Sequence, residues 1–507
     1  MDIQGIGPSF GRSLTRRPPD GSMHPHLLQR ARQLNSKAPA PDSSGYVLCW
    51  LQQALRAEHN PIVEFAMAKG AAYNLPVVVY HGVDNRYTYA SHRLHRFILE
   101  ASVSLEQGIR ARGVRFVRYV RRPDSLEQGL VYRLCERAAC LVTDDEATYV
   151  AKEQTERVAQ RVDIPVWAVD ASLAVPRANF WETHHKTTKG FRAAHKALRA
   201  EHMEAFEPIE PVCAPYDEAW AWHDGVETTE EIDALIARCE VDMSLPPAPE
   251  FPGWRAHALG RLDDLEAFVL DTYKSHRNNP ALAYSTSKLS PYLHFGVLDP
   301  REVVRRVEAA PVKPYKRSKY LDELLTWREY SHHRAYHAGY PASWVNLPVW
   351  ALDTLIAHQY DPREDLYTLE ELLHGETHDE VWNAAQKQFL IDGWMHNNLR
   401  MYWGKQIIKW CKTPKIAWAT ACYLNDRLSL DGRDPSTYGG LRWCFGESKR
   451  AWREQDVYGF VPTKSDGALR KRKGVLDWVA EQNARALEVE VPQPLDAVAR
   501  KMGYWAG

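Results

Sequence analysis

Between residues 45 and 170, short apolar runs recur: YVLCWL (46–51), LPVVVYHG (75–82), VRFVRYV (114–120), ACLVTDD (139–145) and IPVWAVD (164–170). Continuous apolar runs of this length read as strands buried on both faces. Amphipathic stretches lie between them, the clearest over 91–112. This alternation of strand and helix predicts a parallel α/β sheet. No GxGxxG follows the first strand, so the ordinary dinucleotide-binding turn is absent. The crevice at the strand ends is still a place where a ligand can sit.

The grammar then changes. Residues 171–250 show no clean period and run into the Pro-rich SLPPAPEFPGW (244–254), which reads as a connector and a domain boundary. From 255 to about 485 the pattern is almost wholly helical, as in RLDDLEAFVLDTY, YLDELLTWREYSHHRAYH, DEVWNAAQKQFLIDG and GWMHNNLRMYWGKQIIKW. The last of these, residues 393–410, reads as one helix. The expected division is a disordered tail over 1–40, an α/β domain over 41–175 and a connector over 176–252. An all-α domain over 253–485 and a C-terminal segment over 486–507 complete it.

Composition narrows the class. A chain of 507 residues is too long for one ordinary core. Lys and Arg number 64 against 65 Asp and Glu, so any nucleic-acid surface has to be a local patch. The eight cysteines form no CxxC and no paired ligand spacing, which suits a reduced, cytoplasmic protein without a structural metal. No run approaches the ~20 apolar residues of a membrane span. The first 22 residues, rich in Gly, Pro, Ser and Arg, have no apolar core of a signal peptide.

Candidate chemistry sits in the helical half. In YSTSKLSPYLHFG (284–296), Thr286, Ser287 and Ser290 crowd ahead of a helix with Lys288 among them. Hydroxyls and a cation at a helix start suit a phosphate or pyrophosphate, and they equally suit a helix cap with spare serines. Glu329, in LTWREYSHH (325–333), can accept a hydrogen bond from a ligand or simply pair with a cation. Arg400 can pair with Asp431 or Asp434, either beside a reactive ring or as a structural ion pair. Trp403 and Trp410, seven residues apart, share a helix face, and Trp382 precedes a break at Gly393 that lets it fold back beside them. Indoles so spaced either fill a core or relay an electron, and periodicity does not separate the two.

Taken together, TSKLSPYLHFG, LTWREY, DGWMHNNLRM and YLNDRLSLDGRDP resemble the photolyase/cryptochrome family in kind and order, with LQQALRAEHNPIVEFA (51–66) similar to its opening segment. VWNAAQ, RMYWGKQIIKW and YLNDRLSLDGRDPSTY are most like class II photolyases of cyclobutane pyrimidine dimers. The resemblance spans about residues 45–460 and implies a Rossmann-like α/β domain followed by a helical FAD-binding domain. It implies that Tyr273, Thr286, Ser287, Lys288, Leu289 and Ser290 hold the cofactor, with Trp394 near the flavin. Arg400 and Asp431 match the ion pair beside the isoalloxazine, and Asn425 matches the asparagine facing flavin N5. Trp403, Trp382 and Trp410 match, in that order outward, an electron-transfer chain. Glu329 matches the glutamate that bonds the damaged pyrimidines, and Asn397, Met401 and Trp443 match the lesion pocket.

The implied function is light-driven repair of UV-damaged DNA by a monomer, with a cryptochrome-type photoreceptor as the alternative. His396 stands without the second histidine that marks enzymes for the (6-4) photoproduct. An antenna, deazaflavin or folate, is compatible with the family, and no residue identifies either. Lys449, Arg450, Arg470 and Lys471 are the candidate phosphate contacts.

Overall fold

The computed structural model describes residues 23–39, 45–125, 127–217, 220, 222–485, 493–495 and 498. The five expected strands form one sheet with a sixth. Its strands are β1 (Ala31–Gln33), β2 (Tyr46–Leu51), β3 (Val77–Val83), β4 (Arg115–Val120), β5 (Ala138–Asp144) and β6 (Val166–Val169), in the order β1-β6-β5-β2-β3-β4. All pairings are parallel except that of β1 with β6. Every residue of β2 and β5 is buried, which is why these strands show no alternation in sequence. Helices α1 (Pro61–Tyr73) and α2 (His92–Ala111) are crossovers between strands, and Ser91 caps α2 by accepting from the Leu94 amide.

β1 corrects the expectation of a disordered tail reaching residue 40. The segment folds because Arg30, buried at the end of the helix Pro25–Arg30, donates to the carbonyls of Leu173 at 2.8 Å and Ala174 at 2.7 Å. The part of that expectation covering residues 1–22 falls outside the described residues. The connector is also more ordered than its pattern, with helices over Thr188–His202 and Thr229–Ile236.

The helical half begins at Arg255. Helix α3 (Pro314–Asp322) passes through a π-helical turn, Glu323–Arg328, into α4 (Glu329–Ala338). Helices α5 (Glu380–Asp392), α6 (Asn397–Trp410), α7 (Pro414–Leu428) and α8 (Pro435–Cys444) build the rest of what surrounds the site. The reading of 393–410 as one helix is corrected at its start. Gly393, at φ 61°, is the left-handed cap of α5, and α6 begins only at Asn397, where the His396 ring accepts from the Asn398 amide. A side chain at 393 would be strained at that φ, and its Cβ would lie 3.0 Å from Arg93 Cδ.

Arg93 joins the two halves. From α2 its guanidinium, 1% exposed, donates to the carbonyl of Pro246 at 2.9 Å, Leu428 at 2.9 Å, Ile391 at 3.3 Å and Phe389 at 3.4 Å, and also to Leu390. Leu390, Ile391 and Leu428 lie in the last turns of α5 and α7, where main-chain carbonyls lack helical partners, while Phe389 also accepts from the Gly393 amide at 3.1 Å. A cation is the apt donor at the negative end of a helix dipole. Burial pushes the guanidinium down to about 10, so it stays charged at neutral pH. Arg93→Met is expected to lose on the order of 3–5 kcal/mol in urea unfolding, because buried carbonyls lose a charged donor. A loss below ~1 kcal/mol would show that water replaces the arginine at no net cost.

Candidate functional site

A cavity of about 670 Å³ opens in the helical half, within the range of ordinary cofactor clefts. One wall is Tyr273 and the loop Thr286–Ser290, and another is Trp394, Asn397, Arg400 and Met401 from the start of α6 and the turn before it. Asp431, Ser436, Thr437 and Trp443 close a third side. Most of the expected site residues therefore meet in one place. Eight cations line this cavity (Arg277, Lys288, Lys319, Arg328, Arg400, Arg442, Lys464, Arg472) against three carboxylates (Glu323, Asp431, Glu447). The positive field missing from the chain as a whole is concentrated here.

The loop is shaped by its own bonds. Tyr320 Oη donates to Ser287 Oγ at 3.1 Å, and Lys288, at φ 52°, turns its Nζ to Glu250 at 2.8 Å and to within 5.5 Å of the Trp394 ring centroid. Of the two carboxylates offered to Arg400, it is Asp431 that pairs, at 3.1 Å, while Asp434 lies against His294 at 3.1 Å. Burial pushes the Asp431 carboxyl up, but the Arg400 guanidinium and the hydroxyls of Ser290 and Ser429 outweigh it and hold it below its ordinary value. Arg400 Nε and Ser436 Oγ are buried with no partner among the described residues. Two unpaired polar groups in a cavity wall are what a polar ligand would satisfy.

Behind Arg400 the indoles stack. Phe389 lies under the Arg400 guanidinium at 5.2 Å and meets Trp403 edge-on at 5.8 Å. Trp403 and Trp382 are parallel at 6.2 Å, with 6° between planes, and Trp382 meets Trp410 at 5.4 Å and 76°. Trp403 Nε1 donates to Gln386 Oε1 at 2.8 Å, and Trp382 Nε1 to the Trp403 carbonyl at 3.1 Å. The stack does not reach water at Trp410, which is 1% exposed. Half-buried Tyr367 covers it edge-on at 5.4 Å, its hydroxyl 2.6 Å from Nδ1 of exposed His378.

Two expected residues are not brought to the cavity. Glu329 points away from it: its carboxylate accepts from the amides of Ala174 at 2.6 Å and Val175 at 3.4 Å and lies 2.5 Å from His195 Nε2. His195 Nδ1 accepts from Arg199, so Nε2 carries the proton donated to Glu329. The cause is the π turn at 323–328, whose extra residue rotates the following face by roughly 100°. Glu323 and Trp327 line the cavity instead. Asn425 is fully buried one layer back, donating to Thr437 Oγ1 at 3.2 Å, with its own Oδ1 unpartnered among the described residues.

None of Lys449, Arg450, Arg470 and Lys471 lines the cavity, whereas Lys464 and Arg472 of the same segment do. Sequence reasoning also passed over Lys405, whose only signal is a lysine among the apolar positions of a buried helix. Among the described residues no group of three His, Cys, Asp or Glu side chains is placed to hold a metal, and no helix is long and apolar enough to cross a membrane.

Residues 47–215 match the family model for DNA photolyase. Over 452 residues the chain is 31% identical to the deoxyribodipyrimidine photo-lyase of Methanothermobacter thermautotrophicus, covering 89% of this chain and 97% of that one. It is also 31% identical over 474 residues to the enzyme of that name from rice (Oryza sativa subsp. japonica), covering 89% and 91%. This chain belongs to the DNA photolyase family. Its fold is that of a class III photolyase from Agrobacterium tumefaciens, with a TM-score of 0.65 at 18% identity, covering 91% and 92% of the two chains. A photolyase from Sulfolobus tokodaii, solved with two FAD molecules, gives a TM-score of 0.61 at 16% identity, covering 90% and 99%.

Photolyases bind FAD, and the cavity fits it in three respects: its size, the hydroxyl-rich loop 286–290, and the unpaired Arg400 Nε and Ser436 Oγ. The crevice at the ends of β2 and β3 is smaller, about 100 Å³, and is lined by Gln52, His81, Tyr87, Tyr149 and Arg433 among others. That is well below the ~300 Å³ of common ligand clefts.

Glu329 holds the connector after β6 against α4, so Glu329→Ala is expected to cost on the order of 3 kcal/mol of stability by leaving buried donors unpaired. Burial pushes this carboxyl up, but His195, the Ala174 amide and Arg328 outweigh it and hold it below the ordinary value. Its stabilisation is therefore complete above the unfolded pKa near 4.5 and lost as pH falls through the folded one. Melting curves of wild type and Glu329→Gln should converge on acidification. Curves that stay parallel would remove the carboxylate from the acid response.

Proposed function

We propose that the cavity holds FAD against a cyclobutane pyrimidine dimer turned out of DNA, and that this deoxyribodipyrimidine photo-lyase splits the dimer with a light-driven electron. Membership of the photolyase family makes the chain an enzyme of light-driven DNA repair. The observation that carries the finer reading is one basic cavity running from the hydroxyl loop to Asn397, Met401 and Trp443, with an indole stack behind its Arg400 wall.

When bound, reduced FAD would supply the light-excited one-electron donor for splitting the dimer. The chain's residues do the rest. Thr286, Ser287 and Ser290 supply hydroxyls to the phosphates and ribityl chain, and Tyr273 and Leu289 close the pocket around them. Arg400 and Asp431 hold a fixed dipole beside the ring, with Arg400 Nε free to donate. Trp443 and Met401 offer an aromatic and a polarizable face to the flipped bases, and Asn397 offers an amide to their polar edges. Lys464, Arg472 and Lys319 at the wall suit flanking phosphates. Trp403, Trp382 and Trp410 feed electrons inward when the cofactor has become oxidised.

A defined dimer-containing oligonucleotide, incubated in light and in darkness, tests the reading. Repair is expected in light alone. Trp443→Ala should weaken binding of the damaged strand about tenfold or more, since base–aromatic stacking contributes ~1–3 kcal/mol. Flavin absorbance with no light-dependent repair would turn the assignment toward a photoreceptor.

The indoles are tested separately by flash spectroscopy. Trp403→Phe keeps most of the ring volume but removes the first donor, so photoreduction of oxidised enzyme should nearly vanish. Trp410→Phe should leave the first transfer and shorten the life of the separated charges. Chemically pre-reduced enzyme should repair normally in both variants. Normal photoreduction with a lowered melting temperature in Trp403→Phe would make the stack simple core packing.

A further inference from the structure

Trp443 differs from the three relay indoles in its electrostatic surroundings. Lys449 Nζ lies 3.9 Å from its ring centroid and Lys405 Nζ 5.9 Å. Lys405 is 1% exposed, and its ammonium has no hydrogen-bond partner among the described residues. The ionisable neighbours that bear on it are Cys444 and a second cation, Lys449, with no carboxylate among them. Burial and Lys449 push Lys405 down to about 8, which leaves most of it charged at neutral pH. Packing does not call for that charge. A methionine fills the same space, and a buried ammonium without partners is destabilising.

Around the relay the arrangement is the opposite. Among the described residues no lysine or arginine lies over Trp403, Trp382 or Trp410, and the Arg400 guanidinium is over Phe389 instead. The N–H groups of Trp403 and Trp382 each point at a neutral carbonyl oxygen, a dipole that favours positive charge on the ring.

We propose that Lys405, together with Lys449, is a positioning residue for the electron: the two ammonium groups keep Trp443 from being oxidised, so that electrons enter through Trp403. This rests on the reading that the cavity holds FAD and that the indole stack feeds it. In the step concerned, one indole gives one electron to the light-excited oxidised cofactor and becomes a radical cation, with no bond made or broken. A radical cation on Trp443 would face two ammonium groups a few ångströms away, whereas one on Trp403 faces an amide oxygen at 2.8 Å. The indole that touches the lesion is thereby kept out of redox chemistry and left to stack on bases.

The experiment uses the full chain with its flavin and reads tryptophan-radical yield after a flash. Trp403→Phe alone should give almost no radical. Adding Lys405→Met and Lys449→Met should raise the yield by about tenfold or more, and a further Trp443→Phe should remove that gain. A yield that stays at the Trp403→Phe level with both lysines gone overturns the proposal, as does a Trp443 radical already present with both lysines in place. A second readout does not depend on the relay. In the dark, azide radicals oxidise exposed and half-buried indoles, and the part of the radical signal lost with Trp443→Phe should grow severalfold when the lysines are replaced. An unchanged part overturns the proposal even where Trp403→Phe has shown the relay itself to be wrong. Lys449→Met alone, at a half-buried position, gives the same comparison without touching the core.

Discussion

A buried guanidinium that satisfies main-chain carbonyls is the interaction on which the two halves of this protein depend. Arg93 reaches from α2 to the ends of α5 and α7, the helices that carry Trp382 and Asn425. Arg56 repeats the device, donating to Gly296 at 2.8 Å and Ala171 at 3.0 Å, and Arg30 does so at the connector. Arginine suits this work because its planar fork offers five donors and stays charged when buried. The α5–α6 turn, one wall of the cavity, is thereby held against the α/β half, whose sheet supplies none of the cavity lining.

The α5–α6 turn sets the distance between indoles. Gly393 ends α5 in a left-handed conformation, and the chain restarts as α6 four positions later, at Asn397. Trp382 and Trp403, twenty-one positions apart, come to lie face to face. The same turn places Trp394 and Asn397 on the cavity and Trp403 one helical turn behind Arg400. One bend thus creates both a cavity wall and the indole stack behind it, separated by the Arg400–Phe389 pair.

Charge is distributed with the same economy. A chain of formal charge -1 gathers eight cations around one cavity, two of which, Arg277 and Lys319, are tempered by Glu323. The remaining excess concentrates positive field at the cavity rather than over the whole protein. Asp431 is kept ionised within this field because Arg400 and two hydroxyls offset the cost of its burial.

Much of this was legible in the residues. Runs such as YVLCWL become buried strands whatever lies around them, since their apolar area has nowhere else to go, and the hydroxyl loop, Arg400, Asp431 and the tryptophans were found by type and spacing. Residue pattern alone suffices for an α/β half followed by a helical half, for the strands β2 to β6, and for a few cavity residues, the hydroxyls of 286–290 with Arg400 and Asp431. It suffices because periodicity and composition are local properties. Tertiary structure alone decided what depends on a residue's neighbours across the fold. A π turn turned Glu329 toward Ala174 and brought Glu323 and Trp327 to the wall. Arg30 drew a tail-like segment into an edge strand, and Tyr367 covered Trp410. Lys405 was left as a buried ammonium beside Trp443. A single extra residue in a helix rotates everything after it by roughly a quarter-turn, and no one-dimensional pattern records which way a side chain then faces.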